Sequence, residues 1–301
     1  AMFLPSSGKY SINRCNVILF GPSGSGKSSL IRSLYRALFN SKHLPPDALS
    51  KLVIKSSFQN EGTLCFTRLF LQEESNASSG IILCDTRGQI RMNDSEKEQF
   101  KILIDGKVKE GVKVEQRAER NPFALWEFWK KDSELFPKEI LFANEVGLES
   151  IPHCVVFVFD GSKDDVIEKE DEHFYRDLVN ISKRKGYTEI HAILTRIDLF
   201  EKIISHRNKD LPATERTMQM NTIKDEKIEK VIEVLGISRS NIHFIENYHD
   251  EDLENNSLEL DYHLLKTLCD LINSCETYIV NYLNRSETCF ASCFPFLDNK
   301  K

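Results

Sequence analysis

Residues 21–28 read Gly-Pro-Ser-Gly-Ser-Gly-Lys-Ser, which is a G-x-x-x-x-G-K-[ST] octet. The octet constrains more than its own positions, because it functions only between a strand that delivers it and a helix that receives it. Asn16-Val17-Ile18-Leu19-Phe20 is an apolar run of buried-strand type just before it. Behind it, the apolar residues at 30, 31, 34, 35, 38 and 39 form one helical stripe across Ser29 to Phe39. Strand, glycine loop and helix together predict a phosphate-binding loop; the alternative is a glycine-rich turn that matches by chance. Gly21, Gly24 and Gly26 let the backbone curl, so that the N–H groups of a cradle including Ser23, Ser25 and Ser29 point at phosphate oxygens. The helix start adds its positive dipole end. Lys27 supplies a point charge to the β- and γ-phosphates, and Ser28 offers a hydroxyl to Mg²⁺, which prefers oxygen ligands.

The chain has 301 residues, 41% hydrophobic and 29% charged, which is ordinary globular composition with ample length for a core. Net charge is −6 and no segment carries a dense Lys/Arg run, so nucleic-acid binding has no electrostatic support. The longest apolar run, Cys154 to Phe159, is far too short to span a bilayer, so no transmembrane segment is expected. No secretory signal is visible, Ala1-Met2 reads as a remnant ahead of a native start, and the expected location is cytoplasmic. Cysteines at 15, 65, 84, 154, 269, 275, 289 and 293 lack zinc-finger spacing and read as reduced thiols of a cytosolic protein. For Cys289 and Cys293, beside Phe290, Phe294 and Phe296, lipidation is the alternative.

Strand and helix patterns alternate along the chain. Strands are expected at 63–71, 81–84 ending at Asp85, 155–159 ending at Asp160, 189–194 ending at Thr195, and 242–245. Helices are expected at 94–104, 166–185, 213–235 with Gly236 as the stop, and 258–284. Such alternation predicts an α/β fold with a mostly parallel central sheet and helices on both faces. Gly21, Asp85, Asp160 and Thr195 then converge on the carboxyl edge of the sheet. The chain is read as one domain over 1–301, with an enlarged helical insert at 86–153 between the third and fourth strands and a C-terminal helix at 258–284. The insert holds an aromatic patch, Phe123, Trp126, Phe128, Trp129 and Phe136. It reads either as a self-packed helical subdomain or as an effector or self-association surface under nucleotide control.

Asp85-Thr86-Arg87-Gly88-Gln89 is a D-x-x-G-Q run after a buried strand. Asp85 is expected to hold Mg²⁺ through water, and the Gly88 N–H to meet the γ-phosphate. Gln89 reads either as the residue that orients the attacking water or as a plain turn residue. Arg87 reads as a solvent-facing arginine or as one acting on the γ-phosphate in cis. Thr195-Arg196-Ile197-Asp198 resembles the guanine-reading [NT]-K-x-D motif. A carboxylate at Asp198 accepts from guanine N1–H and its exocyclic amine, a donor pair adenine lacks. Arg196 replaces the usual lysine, and its planar head can stack on the base. Asp198 as a simple cap of the following helix is the alternative. Asn247 or Tyr248, after the last strand, is placed to touch the base. Thr63 is the choice for the first-switch threonine on Mg²⁺, with Ser56 and Ser57 as rivals.

These motifs, in this order, predict a P-loop NTPase G domain that binds GTP and GDP with Mg²⁺ and hydrolyses GTP slowly. The alternatives are a nucleotide-controlled interaction scaffold with negligible hydrolysis and an ATP-using phosphotransferase. The chain also resembles the interferon-induced protein family of the forty-four type. The resemblance is carried by Ile82-Leu83-Cys84-Asp85, Ile151 to Asp160, Ala192 to Asp198, and Asn247-Tyr248. It implies a cytoplasmic GTPase-like protein linked to antiviral responses and runs from about residue 12 to about 285. Family members often carry a further N-terminal domain, expected here to be absent or removed. Gln89 stands where the family leads one to expect an apolar residue, and homodimerisation is plausible by analogy with other G-domain families.

Overall fold

The computed structural model describes residues 14–39, 66–71, 80–86, 88–89, 92–108, 146–248 and 257–293. The described elements run β1 (Arg14–Phe20), α1 (Lys27–Phe39), β2 (Thr67–Leu71), β3 (Gly80–Asp85), α2 (Asp94–Ile104), β4 (Cys154–Asp160), α3 (Glu172–Arg184), β5 (Ile190–Thr195), α4 (Ile197–Arg207), α5 (Ala213–Leu235), β6 (Ile242–Phe244) and α6 (Leu258–Cys293). The strands form one sheet in the order β2-β3-β1-β4-β5-β6. β2 runs antiparallel to β3 at one edge, and all other pairs are parallel. This is an α/β architecture, a mostly parallel six-stranded sheet packed by helices on both faces. The extended segment foreseen at 63–71 is a strand only from Thr67, and the residues before Phe66 lie outside the described set.

The central strands are apolar throughout because both sheet faces are covered. Alternate side chains go to opposite sides. Ile18, Phe20, Val155, Phe157 and Phe159 enter a core with Phe100 and Leu103 of α2, Tyr175 and Leu178 of α3, and Val231 of α5. Val17, Leu19, Val156 and Val158 enter a second core with Leu30, Ile31 and Leu34 of α1 and Leu264, Leu268 and Leu271 of α6. Edge-to-face aromatic contacts tie the first core together, with ring centroids 4.8 Å apart for Phe20–Phe100 and 5.0 Å for Phe159–Tyr175.

Local chemistry sets the helix ends. The Asn93 side chain accepts from Glu96 N–H and caps α2. Gly236 takes the left-handed conformation (φ 59°) that ends α5 where the sequence placed the stop. α6 extends to Cys293, beyond the end expected at 284. The return of the 86–153 segment to the sheet is fixed by Asn16 and His153. Asn16 Nδ2 donates to Glu149 O and Ile151 O, and Asn16 N donates to His153 Nδ1 at 3.1 Å. α2 is the described helix of that segment; its aromatic patch at 123–136 lies outside the described residues. Among the described residues, Cys15, Cys84, Cys154 and Cys275 are buried free thiols and Cys269 is an exposed one. No helix among the described residues is long and apolar enough to cross a membrane.

Candidate functional site

The site lies along the carboxyl edge of the sheet, where β1, β3, β4 and β5 end together. The chain leaves β1 through Gly21, where an added Cβ would stand 2.0 Å from Val158 O; only glycine fits that approach. Gly24 (φ 77°) and Gly26 (φ 88°) then take left-handed conformations and curl the loop into the start of α1. Lys27 Nζ donates to Gly21 O and Pro22 O, both at 2.9 Å, and to Ser25 Oγ at 3.4 Å, so the ammonium sits inside the loop. Ser29 follows in the first turn of α1, its carbonyl accepting from Ser33 Oγ.

The second motif closes onto this loop. Ser28 Oγ donates to Asp85 Oδ2 at 2.6 Å, joining the first turn of α1 to the end of β3. Asp85 is fully buried, and Thr86 Oγ1 donates to Leu19 O at 2.7 Å. Gly88 packs on the loop backbone so closely that an added Cβ would stand 2.4 Å from Ser23 Cα. Gln89 N donates to Gly21 O at 3.2 Å, and Ser23 N donates to Gln89 O at 2.9 Å. Gln89 is therefore bridged in parallel fashion to Pro22, with its residue surface buried. Thr63, its rivals Ser56 and Ser57, and Arg87 lie outside the described residues.

The third motif stands on the other side of the loop. Thr195 Oγ1 donates to Ser25 O at 2.7 Å, so a hydroxyl at the end of β5 braces the phosphate loop. Gly26 is the contact point: an added Cβ there would meet Thr195 Oγ1 at 3.0 Å and Asn247 Nδ2 at 3.3 Å. Asp198 sits in the first turn of α4, largely buried, with Lys202 Nζ 3.4 Å from Oδ2. The Asn247 Oδ1 atom is buried with no hydrogen-bond partner among the described residues.

Tyr248 separates from this group. Its N–H donates to Ser33 Oγ at 2.9 Å, its ring lies 3.8 Å beneath the Arg36 guanidinium, and its hydroxyl donates to Asp261 Oδ1 at 2.7 Å. Tyr248 thus joins α1 to α6, and of the pair offered by the sequence Asn247 is the one at the loop. The anchors Ser33 and Arg36 were not foreseen. Both lie off the apolar stripe of α1, among Ser29 and Arg32, where no local pattern marks a buried contact. Asp160, foreseen only as a strand end, pairs with the Arg196 guanidinium.

No family model matches this chain, and no curated protein matches it. Among solved structures, the GTP-bound GTPase-like domain of S. cerevisiae Ski7 is 14% identical, covering 87% of this chain and 50% of that one at a TM-score of 0.41. The same domain with GDP and inorganic phosphate gives 14% identity, coverages of 84% and 49%, and a TM-score of 0.40. Toc33 from Arabidopsis thaliana, in complex with GDP and Mg²⁺, gives 11% identity, coverages of 90% and 86%, and a TM-score of 0.46. The chain thus spans about half the length of the Ski7 chains it matches.

Proposed function

We propose that this chain binds GTP and GDP with Mg²⁺ and hydrolyses GTP to GDP. The observation that carries the reading is the 2.6 Å contact from Ser28 Oγ to Asp85 Oδ2 at the mouth of a glycine loop braced by Thr195. Two hard oxygen donors side by side at a phosphate loop suit Mg²⁺, which favours oxygen ligands and keeps several waters. Ser28 would ligate the ion directly and Asp85 through water; when bound, the ion neutralises charge on the transferred phosphoryl group. The chain's own groups do the rest. Phosphate oxygens are stronger acceptors than the carbonyls of Gly21 and Pro22, so Lys27 Nζ turns from these to the nucleotide. The loop N–H groups and the start of α1 supply fixed positive dipoles. Asp198 accepts from the guanine edge, while Asn247 borders the same loop.

Lys27→Ala tests the reading. The expected outcome is loss of GTP binding and turnover with the far-ultraviolet circular dichroism spectrum retained; unchanged affinity and turnover would overturn it.

One observation favours the second reading, a nucleotide-dependent scaffold with negligible hydrolysis. Gln89 is buried and its backbone is bonded on both sides to the phosphate loop, so the residue is held as a structural bridge and must shift before its side chain can orient water. Gln89→Leu separates the two: a large fall in turnover supports the enzyme, and no change supports the scaffold. Homodimerisation, an effector contact through 86–153, a cytoplasmic location and a role in the immune response extend the proposal. They are carried by the resemblance to the interferon-induced family and by the aromatic content of the insert. Sedimentation with GDP and with a non-hydrolysable GTP analogue tests the dimer.

A further inference from the structure

We propose that Asp160 is a positioning residue for nucleotide binding: its carboxylate holds the Arg196 guanidinium at the base-binding edge. This rests on the guanine-nucleotide reading above and deepens it. Asp160 ends β4 and stands in register with Thr195, the first residue of the third motif. One carboxylate oxygen accepts from Ser162 N at 3.0 Å and Ser162 Oγ at 2.6 Å; the other pairs with Arg196 Nη1. Lys227 pins the loop after Asp160 by donating to Lys163 O and, at 3.3 Å, to Asp164 O. The carboxylate thus stands on a fixed strand end and a fixed loop.

Arg196 is the one non-glycine residue with positive φ among the described residues (φ 59°, ψ 35°). Left-handed backbone is unfavourable for a residue with a Cβ, and it persists where the surroundings over-determine it. Here they do. Thr195 is held by its bond to Ser25 O, Gly161 N donates to Thr195 O at 2.8 Å, and Phe200 N donates to Arg196 O at 3.2 Å. The backbone of Arg196 is therefore fixed on both sides, and the Asp160 pair fixes the far end of its side chain.

This explains arginine at a position where lysine is usual. A lysine drawn onto Asp160 would offer the base only its methylene stem, because its ammonium is a point charge. A guanidinium on the same carboxylate keeps its planar face for stacking on a purine. Stacking does not depend on which groups the purine carries, so its loss weakens guanine and hypoxanthine nucleotides alike. Asp198, by contrast, is sensitive to the exocyclic amine.

The test is a double-mutant cycle. GDP, IDP and ADP affinities are measured by calorimetry for the wild type, Asp160→Asn, Arg196→Ala and the double variant, with Tm recorded for each. Asparagine keeps an acceptor for Ser162 and turns an uncharged NH2 donor toward Arg196, which removes the pair. The expected result is that Asp160→Asn weakens GDP and IDP equally, about tenfold. In the Arg196→Ala background the same change costs less than about twofold. Equal losses in both backgrounds, or no loss in either, would overturn the positioning role while leaving guanine selectivity standing. A wild type that binds ADP as tightly as GDP, or binds neither, overturns the guanine reading and this inference with it.

Discussion

At the scale of single residues, the proposed function makes Asp198 the group on which the choice of base turns. Asparagine there exchanges one acceptor for a donor. That no longer matches guanine's amine but does match the C2 carbonyl of xanthine. Asp198→Asn is expected to weaken GDP by at least about a hundredfold and to raise affinity for XDP, measured by competition binding; unaltered preference for GDP would remove Asp198 from the base site. That Lys27, Ser28, Asp85, Gly88, Thr195 and Asp198 lie along one edge was legible in the sequence because each sits at a strand end, in the loop after it or in the first helical turn beyond. The links between them were not. Thr195 reaches Ser25 across 170 positions and Asp160 reaches Arg196 across 36, and no local pattern encodes such pairs. Gln89 shows the same limit: its type suggested a role for the side chain, but the fold uses its backbone to bridge Pro22. Tyr248 was assigned to the base from proximity in sequence, whereas Arg36 and Asp261 hold it between two helices.

At the scale of elements, the loops depend on close approaches that only glycine permits. Gly21→Ala drives a methyl group into the backbone of β4 and is expected to destabilise the protein by several kcal/mol, read from urea midpoints. Gly88→Ala forces the second motif off Ser23. It is expected to leave Tm within a few degrees while changing nucleotide affinity, because the displaced contact is between two loops. Equal stability losses for both variants would mean that the second motif is part of the core. Strands β1, β3, β4 and β5 were legible because each is an apolar run buried on both faces. The antiparallel direction of β2 was not, since alternation specifies a face and carries no information about strand direction.

At the scale of the whole molecule, acid should weaken the fold through buried neutral histidines. His153 accepts from Asn16 N at Nδ1 and bonds Leu148 O through Nε2, and burial lowers its pKa to about 4. Ser274 donates to Glu189, so His191 Nε2 donates to Ser274 and its Nδ1 accepts from His243 Nε2 at 3.0 Å. Burial, reinforced by His243, lowers His191 to about 3, and burial also lowers His243, against the pull of Asp270. Each folded-state pKa lies below the unfolded value near 6.5, so the unfolded chain takes up protons first. Stability is full above about pH 6.5 and falls as pH drops toward 4, by up to about 1.4 kcal/mol per pH unit for each of His153 and His191, with His243 acting in the same direction. Urea midpoints that do not move between pH 7.5 and 5 would contradict this. Ser28 joins Asp85 and Ser25 joins Thr195 along one edge of the sheet, with Asp198 three residues beyond Thr195. The most direct measurement is calorimetric titration of nucleotide-free protein with GTP, GDP and ATP, with Mg²⁺ and with EDTA. Selective binding of the guanine nucleotides, strengthened by Mg²⁺, is the expected result. Equal binding of ATP, or no binding of any nucleotide, would contradict it.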